Sequence, residues 1–187
     1  NALKLANTFK TVAKKDITDN TIMTFVEYLK DAYVIATAQK YNIKGKKYIA
    51  SPFKIYFEDI GVRNARLNFR QIEETHIMEN IIYNELKIRG FNVDVGIIEF
   101  NSKDKNGKTL KTQLECDFVA NKGSDRIYIQ SAFDLSSEEK LKQEKNSLVR
   151  ISDSFKKIII QKNPVVPHYT DDGIFVMSLQ DFLTNRG

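Results

Sequence analysis

The stretch Gln113–Ala132, QLECDFVANKGSDRIYIQSA, constrains the fold of this chain more than any other. Leu114, Cys116, Phe118 and Ala120 alternate with Glu115, Asp117 and Val119, the period of two that marks a strand. Asn121-Lys122-Gly123-Ser124 is turn chemistry, because glycine takes a positive φ without steric cost. Arg126–Ala132 then resumes as a strand through Ile127, Tyr128 and Ile129. The two strands form a hairpin, so Asp117 in the first and Gln130 near the end of the second fall on neighbouring positions of one sheet.

Composition sets the limits. The chain has 187 residues, 42% of them hydrophobic, enough for one medium domain or two small ones. The net charge of +5 and pI near 9.1 are compatible with a nucleic-acid partner but do not demand one. One cysteine, Cys116, excludes an intrachain disulfide and a multi-cysteine zinc site. On a strand it is expected to be a small buried apolar residue, which fits a reducing, cytoplasmic compartment. No apolar run approaches ~18 residues, so no membrane-spanning helix and no membrane partner are expected. The first residues, Asn1-Ala2, lack a Met, and the expectation is a piece of a longer protein.

Leu5, Phe9 and Val12 predict a short helix over Lys4–Ala13. Ile22, Phe25, Val26, Leu29 and Tyr33 recur at helical spacing and predict a helix from Thr18 to Ala32. Tyr33–Ala38 reads as a strand, Lys44-Gly45-Lys46-Lys47 as a turn, and Phe53–Phe57 as a strand after Pro52. Helix, turn, helix and a ribbon with a basic tip is the order of a winged helix, here partial. Such a domain lays its wing along a DNA backbone. Lys44, Lys46 and Lys47 are the candidate DNA-binding residues. The bland alternative is a docking module of the same shape, since the helix over Thr18–Ala32 carries few cations. A short helical joint over Ile60–Asn68 follows, with a boundary near Phe69–Glu73.

Beyond it, Glu74–Arg89 reads as a helix burying Ile77, Ile81, Ile82, Leu86 and Ile88, stopped by Gly90 in the left-handed region. Strands follow over Phe91–Phe100, Leu110–Ala120 and Arg126–Ala132. A helix over Ser136–Ile151 and a strand over Lys156–Gln161 come next. Ile158, Ile159 and Ile160 run together, as in a strand buried on both faces. A last strand, Gly173–Met177, leads into a helix over Ser178–Leu183 capped by Ser178. The class is α/β (α+β), a mixed sheet flanked by helices.

Metal-assisted phosphodiester hydrolysis needs carboxylates on the ion and a cation for the developing charge. Asp117 supplies one carboxylate and Glu79 a second. Glu85 is the other helix candidate, but positions six apart do not share a face. The simple alternative for Asp117 is an acid bonded to backbone amides. For Glu79 it is a helix-surface contact, for His76 a hydrogen bond at the helix start, and for His168 an ordinary loop residue. Two distant histidines make no zinc motif. No Gly-Lys-Ser/Thr phosphate loop occurs, so this chain alone is not expected to bind ATP through a P-loop.

Several blocks together carry a family resemblance: YNIKGKKYIASPFKIYFEDIGVRNARLNF, HIMENIIYNELKIRGFNVDVG, ECDFVANKGSDRIYIQSA, NSLVRISDSFKKIII and DGIFVMSLQDFL. In this order they resemble the C-terminal region of bacterial and archaeal AAA-type ATP-binding proteins, usually labelled a domain of unknown function. The resemblance implies an ATPase domain ahead of this chain, and ATP only through that domain. It implies a winged-helix-like segment over 3–60 and a restriction-endonuclease-like PD-(D/E)XK domain over 73–184. Carried over, the catalytic set is Glu79 for the helix acid, Asp117 for the central aspartate and Gln130 for the strand acid. The lysine position is Ala132. Asp117 and Glu79 would hold Mg²⁺ if the site were active. Gln130 and Ala132 depart from the nuclease pattern, so the expected function is non-catalytic binding of duplex DNA or protein. The alternative is a metal-dependent nuclease with an altered site, rescued by a lysine from elsewhere such as Lys87 or Lys122.

Overall fold

The computed structural model describes residues 11, 17–70, 73–103 and 107–185. The helix expected over Lys4–Ala13 lies, but for Thr11, outside the described residues. The chain forms two compact units. One holds the described residues up to Lys40 and from Ile49 to 70; the other holds Tyr41–Tyr48 and the chain from Glu73 on.

The first unit opens with α1 (Asp19–Asp31). Thr18 caps it, its side chain accepting the Thr21 amide at 3.2 Å. Ile22 and Val26 are buried, while Phe25 and Leu29, on the same apolar stripe, stay exposed. They line an apolar hollow of about 1000 Å³ with Ile55, Phe57 and Val62. The helix ends at Tyr33, whose φ of +53° is the left-handed stop, with Tyr33 N bonded to Lys30 O and Val34 N to Leu29 O.

Two strands, β1 (Ile35–Asn42) and β2 (Lys47–Phe57), and a short helix, α2 (Ile60–Arg66), follow. The second strand was expected to start after Pro52, but β2 passes through it. A missing N–H is tolerated there because β2 ends the strand order.

In the second unit, α3 (Glu74–Ile88) leads into β3 (Asn92–Lys103), β4 (Thr109–Lys122) and β5 (Asp125–Ala132). Then come α4 (Glu138–Val149), β6 (Lys156–Gln161), the two-residue β7 (His168–Tyr169), β8 (Phe175–Ser178) and α5 (Leu179–Thr184). Neighbours across the sheet run from the tip Tyr41–Tyr48 through β3, β4, β5, β6 and β8 to β7. The β3–β4–β5 pairs are antiparallel, β5–β6 and β6–β8 parallel, and β7–β8 antiparallel. The mixed sheet flanked by helices is the architecture expected from the element order.

The tip is docked on its own unit. Ile43 N donates to Ile97 O at 3.0 Å, and the Ile43 side chain enters the core.

Two further features differ from the sequence reading. Ile88 is 75% exposed, whereas Met78, Ile82, Tyr83 and Leu86 are buried, so the stripe of α3 runs out one turn early. The alternation in β4 also breaks. Asp94 pairs with Val119 but Gly96 with Cys116, so two steps of β3 face three of β4. The extra residue is a β-bulge at Asp117–Phe118. It puts Cys116 and Val119, three apart, in one core cluster with Tyr128, Ala132, Leu148, Ile159 and Val176. Gly96 lies opposite, where an added Cβ would come within 2.8 Å of Ile43 and 2.9 Å of Val119. Only hydrogen fits there.

Candidate functional site

The structure brings Glu79, Asp117 and Gln130 to one hollow of about 300 Å³. Thr75, His76, Ser131, Phe133 and Glu144 complete its lining. Each is there for a local reason. Glu79 sits in the second turn of α3, half-buried between the exposed first turn and the buried stripe. Asp117 sits at the bulge, the device that re-aims a side chain within a strand. One of its oxygens accepts the Ser131 backbone N–H at 2.9 Å. That bond matches the simple reading of Asp117, and it joins β4 to β5 beyond their last paired residue, Ile129.

Gln130 is turned to α4. Its Nε2 donates to Glu144 at 3.3 Å, and its Oε1 accepts the Ser147 hydroxyl at 3.1 Å. The amide oxygen that would serve a metal is therefore already bonded. Burial raises the carboxyl of Glu144 above the usual carboxylate range, the bond from Gln130 opposing the shift. Glu144 was not singled out in the sequence, although Leu141, Glu144 and Leu148 have the spacing of one helix face.

The cation of a nuclease site does not appear among the lining residues. Ala132 is fully buried in the core cluster beside Leu148 and Ile159 and does not line the hollow. Neither proposed rescue reaches it. Lys122 donates to Arg89 O at 2.8 Å, at the far end of α3, and lies over the Phe91 ring. Lys87 acts on Asp94 instead, whose carboxyl burial raises above the usual range, with the bond from Tyr48 and the charges of Arg126 and Lys87 opposing the shift. Glu85 pairs with Arg89 at 2.8 Å and does not line the hollow.

His76 lines the rim of the hollow and meets Glu73 at 2.6 Å, a helix-start contact as expected. His168 contacts Val166 O at 2.9 Å on exposed β7. Among the described residues, no group of three or more His, Cys, Asp or Glu is placed to hold a metal ion. Glu79 and Asp117 thus gain no third ligand for Mg²⁺ there.

The candidate DNA-binding residues Lys44, Lys46 and Lys47 are all exposed at the tip, with Lys46 at a φ of +49°. Asn42, beneath them, is buried and accepts the Gly45 amide at 2.7 Å, which fixes the turn. Beside the tip the Arg150 guanidinium lies on the Phe100 ring, 3.9 Å from its centroid. No periodicity joins residues 50 apart, so nothing in the sequence signals this pair.

The family model described as a domain of unknown function (DUF8612) matches residues 2–73. Over 183 residues the chain is 30% identical to an uncharacterized protein of Haemophilus influenzae, covering 98% of this chain and 41% of that protein. It is 29% identical over 178 residues to an uncharacterized protein of Methanocaldococcus jannaschii, covering 95% of this chain and 36% of that one. The chain therefore spans less than half the length of these curated relatives. No solved structure matches it. Among the described residues no helix is long and apolar enough to cross a membrane.

Proposed function

We propose that this chain is a non-catalytic DNA- or protein-binding module at the C-terminal end of an AAA-type ATPase, built on a restriction-endonuclease-like frame. The nuclease-like part of the reading rests on the hairpin that presents Asp117 beside the helix acid Glu79. The non-catalytic part rests on one observation above all: position 132, where the nuclease pattern carries lysine, is a methyl group sealed in the core. A developing phosphorane charge would meet carboxylates and no lining lysine or arginine, since Lys162, over the Phe133 ring, is paired with Glu74. ATP belongs to the ATPase domain of the whole protein, and that domain is a partner of this module. The DNA contact runs through Lys44, Lys46 and Lys47 on the tip Tyr41–Tyr48, which belongs to the second unit.

One observation favours the second reading, a metal-dependent nuclease with an altered site. Glu79, Asp117 and Glu144 all line one hollow, although they are not placed to hold one ion between them. The test incubates the chain with supercoiled and single-stranded DNA in Mg²⁺ and in Mn²⁺, with Asp117→Ala as control. We expect no cleavage. Cleavage by the parent and not by the variant would overturn the non-catalytic reading.

A further inference from the structure

We infer that the face made by the tip Tyr41–Tyr48, the middle of β3 and the turn after α4 binds single-stranded nucleic acid. The Arg150–Phe100 pair is its stacking platform, and the tip lysines lie along the phosphates. The inference shares the tip lysines with the proposed function but names a different ligand, an unpaired strand.

Two adjoining hollows carry it, of about 700 and 330 Å³. They share Lys44, Glu99 and Phe100. Together their linings hold five cations, Lys44, Lys46, Lys47, Lys111 and Arg150, against the carboxylates of Glu99 and Asp153. Both acids are already engaged. Glu99 accepts from Gln113 at 2.9 Å and meets Lys111 at 3.2 Å, and these contacts hold it below the usual carboxylate range. Asp153 accepts the Tyr128 hydroxyl at 2.5 Å and the Phe155 amide at 3.3 Å. The tip lysines and Arg150 are left to set the local field.

Arg150 caps the end of α4, where a cation suits the helix dipole, and Asn146 accepts its Nε–H at 3.1 Å. That accounts for a charge at 150. It does not account for a guanidinium plane laid on an aromatic ring at the mouth of a hollow, with three lysines beside it. Planar guanidinium and aromatic faces are what bases stack on, and flanking lysines track the backbone. A duplex keeps its base faces covered, so the platform selects an unpaired strand.

The experiment measures binding of a labelled oligothymidine, the matching duplex and inorganic polyphosphate by anisotropy at low salt. Phe100→Leu keeps apolar volume but removes the ring. We expect it to weaken oligothymidine binding about tenfold and duplex binding less than about twofold. Arg150→Lys, at an exposed position, keeps the charge but removes the plane, and should act in the same direction. It serves if Phe100→Leu lowers the thermal midpoint. Lys44→Gln with Lys46→Gln should flatten the salt dependence by about 0.7 per lysine. Oligothymidine binding unmoved by Phe100→Leu and Arg150→Lys would overturn the inference. So would an equal loss for all three ligands, or no binding of oligothymidine by the parent. None of these outcomes bears on cleavage, which alone decides the non-catalytic reading.

Discussion

Ala132 decides most at the scale of single residues. Restoring the nuclease lysine there would push an ammonium group among Leu148, Ile159 and Val176. We expect Ala132→Lys to lower unfolding stability by about 3 kcal/mol or more, read from urea denaturation, and to restore no cleavage. Glu144 gives the complementary case. Its folded carboxyl titrates above the unfolded value, so it favours the folded state fully only below the unfolded pKa of about 4.3. That contribution is lost as pH rises through the folded value. Glu144→Gln keeps an acceptor for Gln130 and carries no charge. It should therefore be more stable than the parent at neutral pH, with the gap closing as the pH falls below about 4. A thermal midpoint series across pH measures this. Glu144 was legible in principle from its place between Leu141 and Leu148. The signal is weak because α4 is mostly charged and presents no clean apolar stripe.

At the scale of elements, the sequence showed which segments form and in what order, because periodicity and caps are local. Thr18, Ser137 and Ser178 each cap the helix that follows, and Gly90 ends α3 at a φ of +83°. What it did not show depends on partners. Nothing in the sequence from Leu114 to Ala120 announces a bulge, since the alternation of Leu114, Cys116, Phe118 and Ala120 with Glu115, Asp117 and Val119 reads as unbroken. Ile88, the last residue of α3, stays exposed despite its apolar spacing. Tyr33 is an element end made by a poor residue, a left-handed stop bearing a side chain that is 82% exposed. Tyr33→Gly should raise stability by about 1 kcal/mol, measured as a higher thermal midpoint.

At the scale of the whole molecule, fold class was legible and function was legible only as a frame. Asp117 and Gln130 could be placed side by side from strand pairing alone. Whether Gln130 faced the hollow or α4, and whether any lysine approached, depended on contacts between elements far apart in sequence. The Arg150–Phe100 pair lay beyond reach for the same reason. Cys116, which packs beside the bulge, has a use of its own. It is the chain's one thiol, it is fully buried, and its Sγ lies 3.5 Å from the Phe118 and Ile129 carbonyls. A thiol reagent can reach it only when the centre of the sheet comes apart, so its labelling rate clocks that opening against the reagent's rate with a simple thiol. We expect the opening free energy obtained this way to equal that of global unfolding in urea. A markedly lower value would mean that the β4–β5 hairpin opens while the rest of the molecule stays folded.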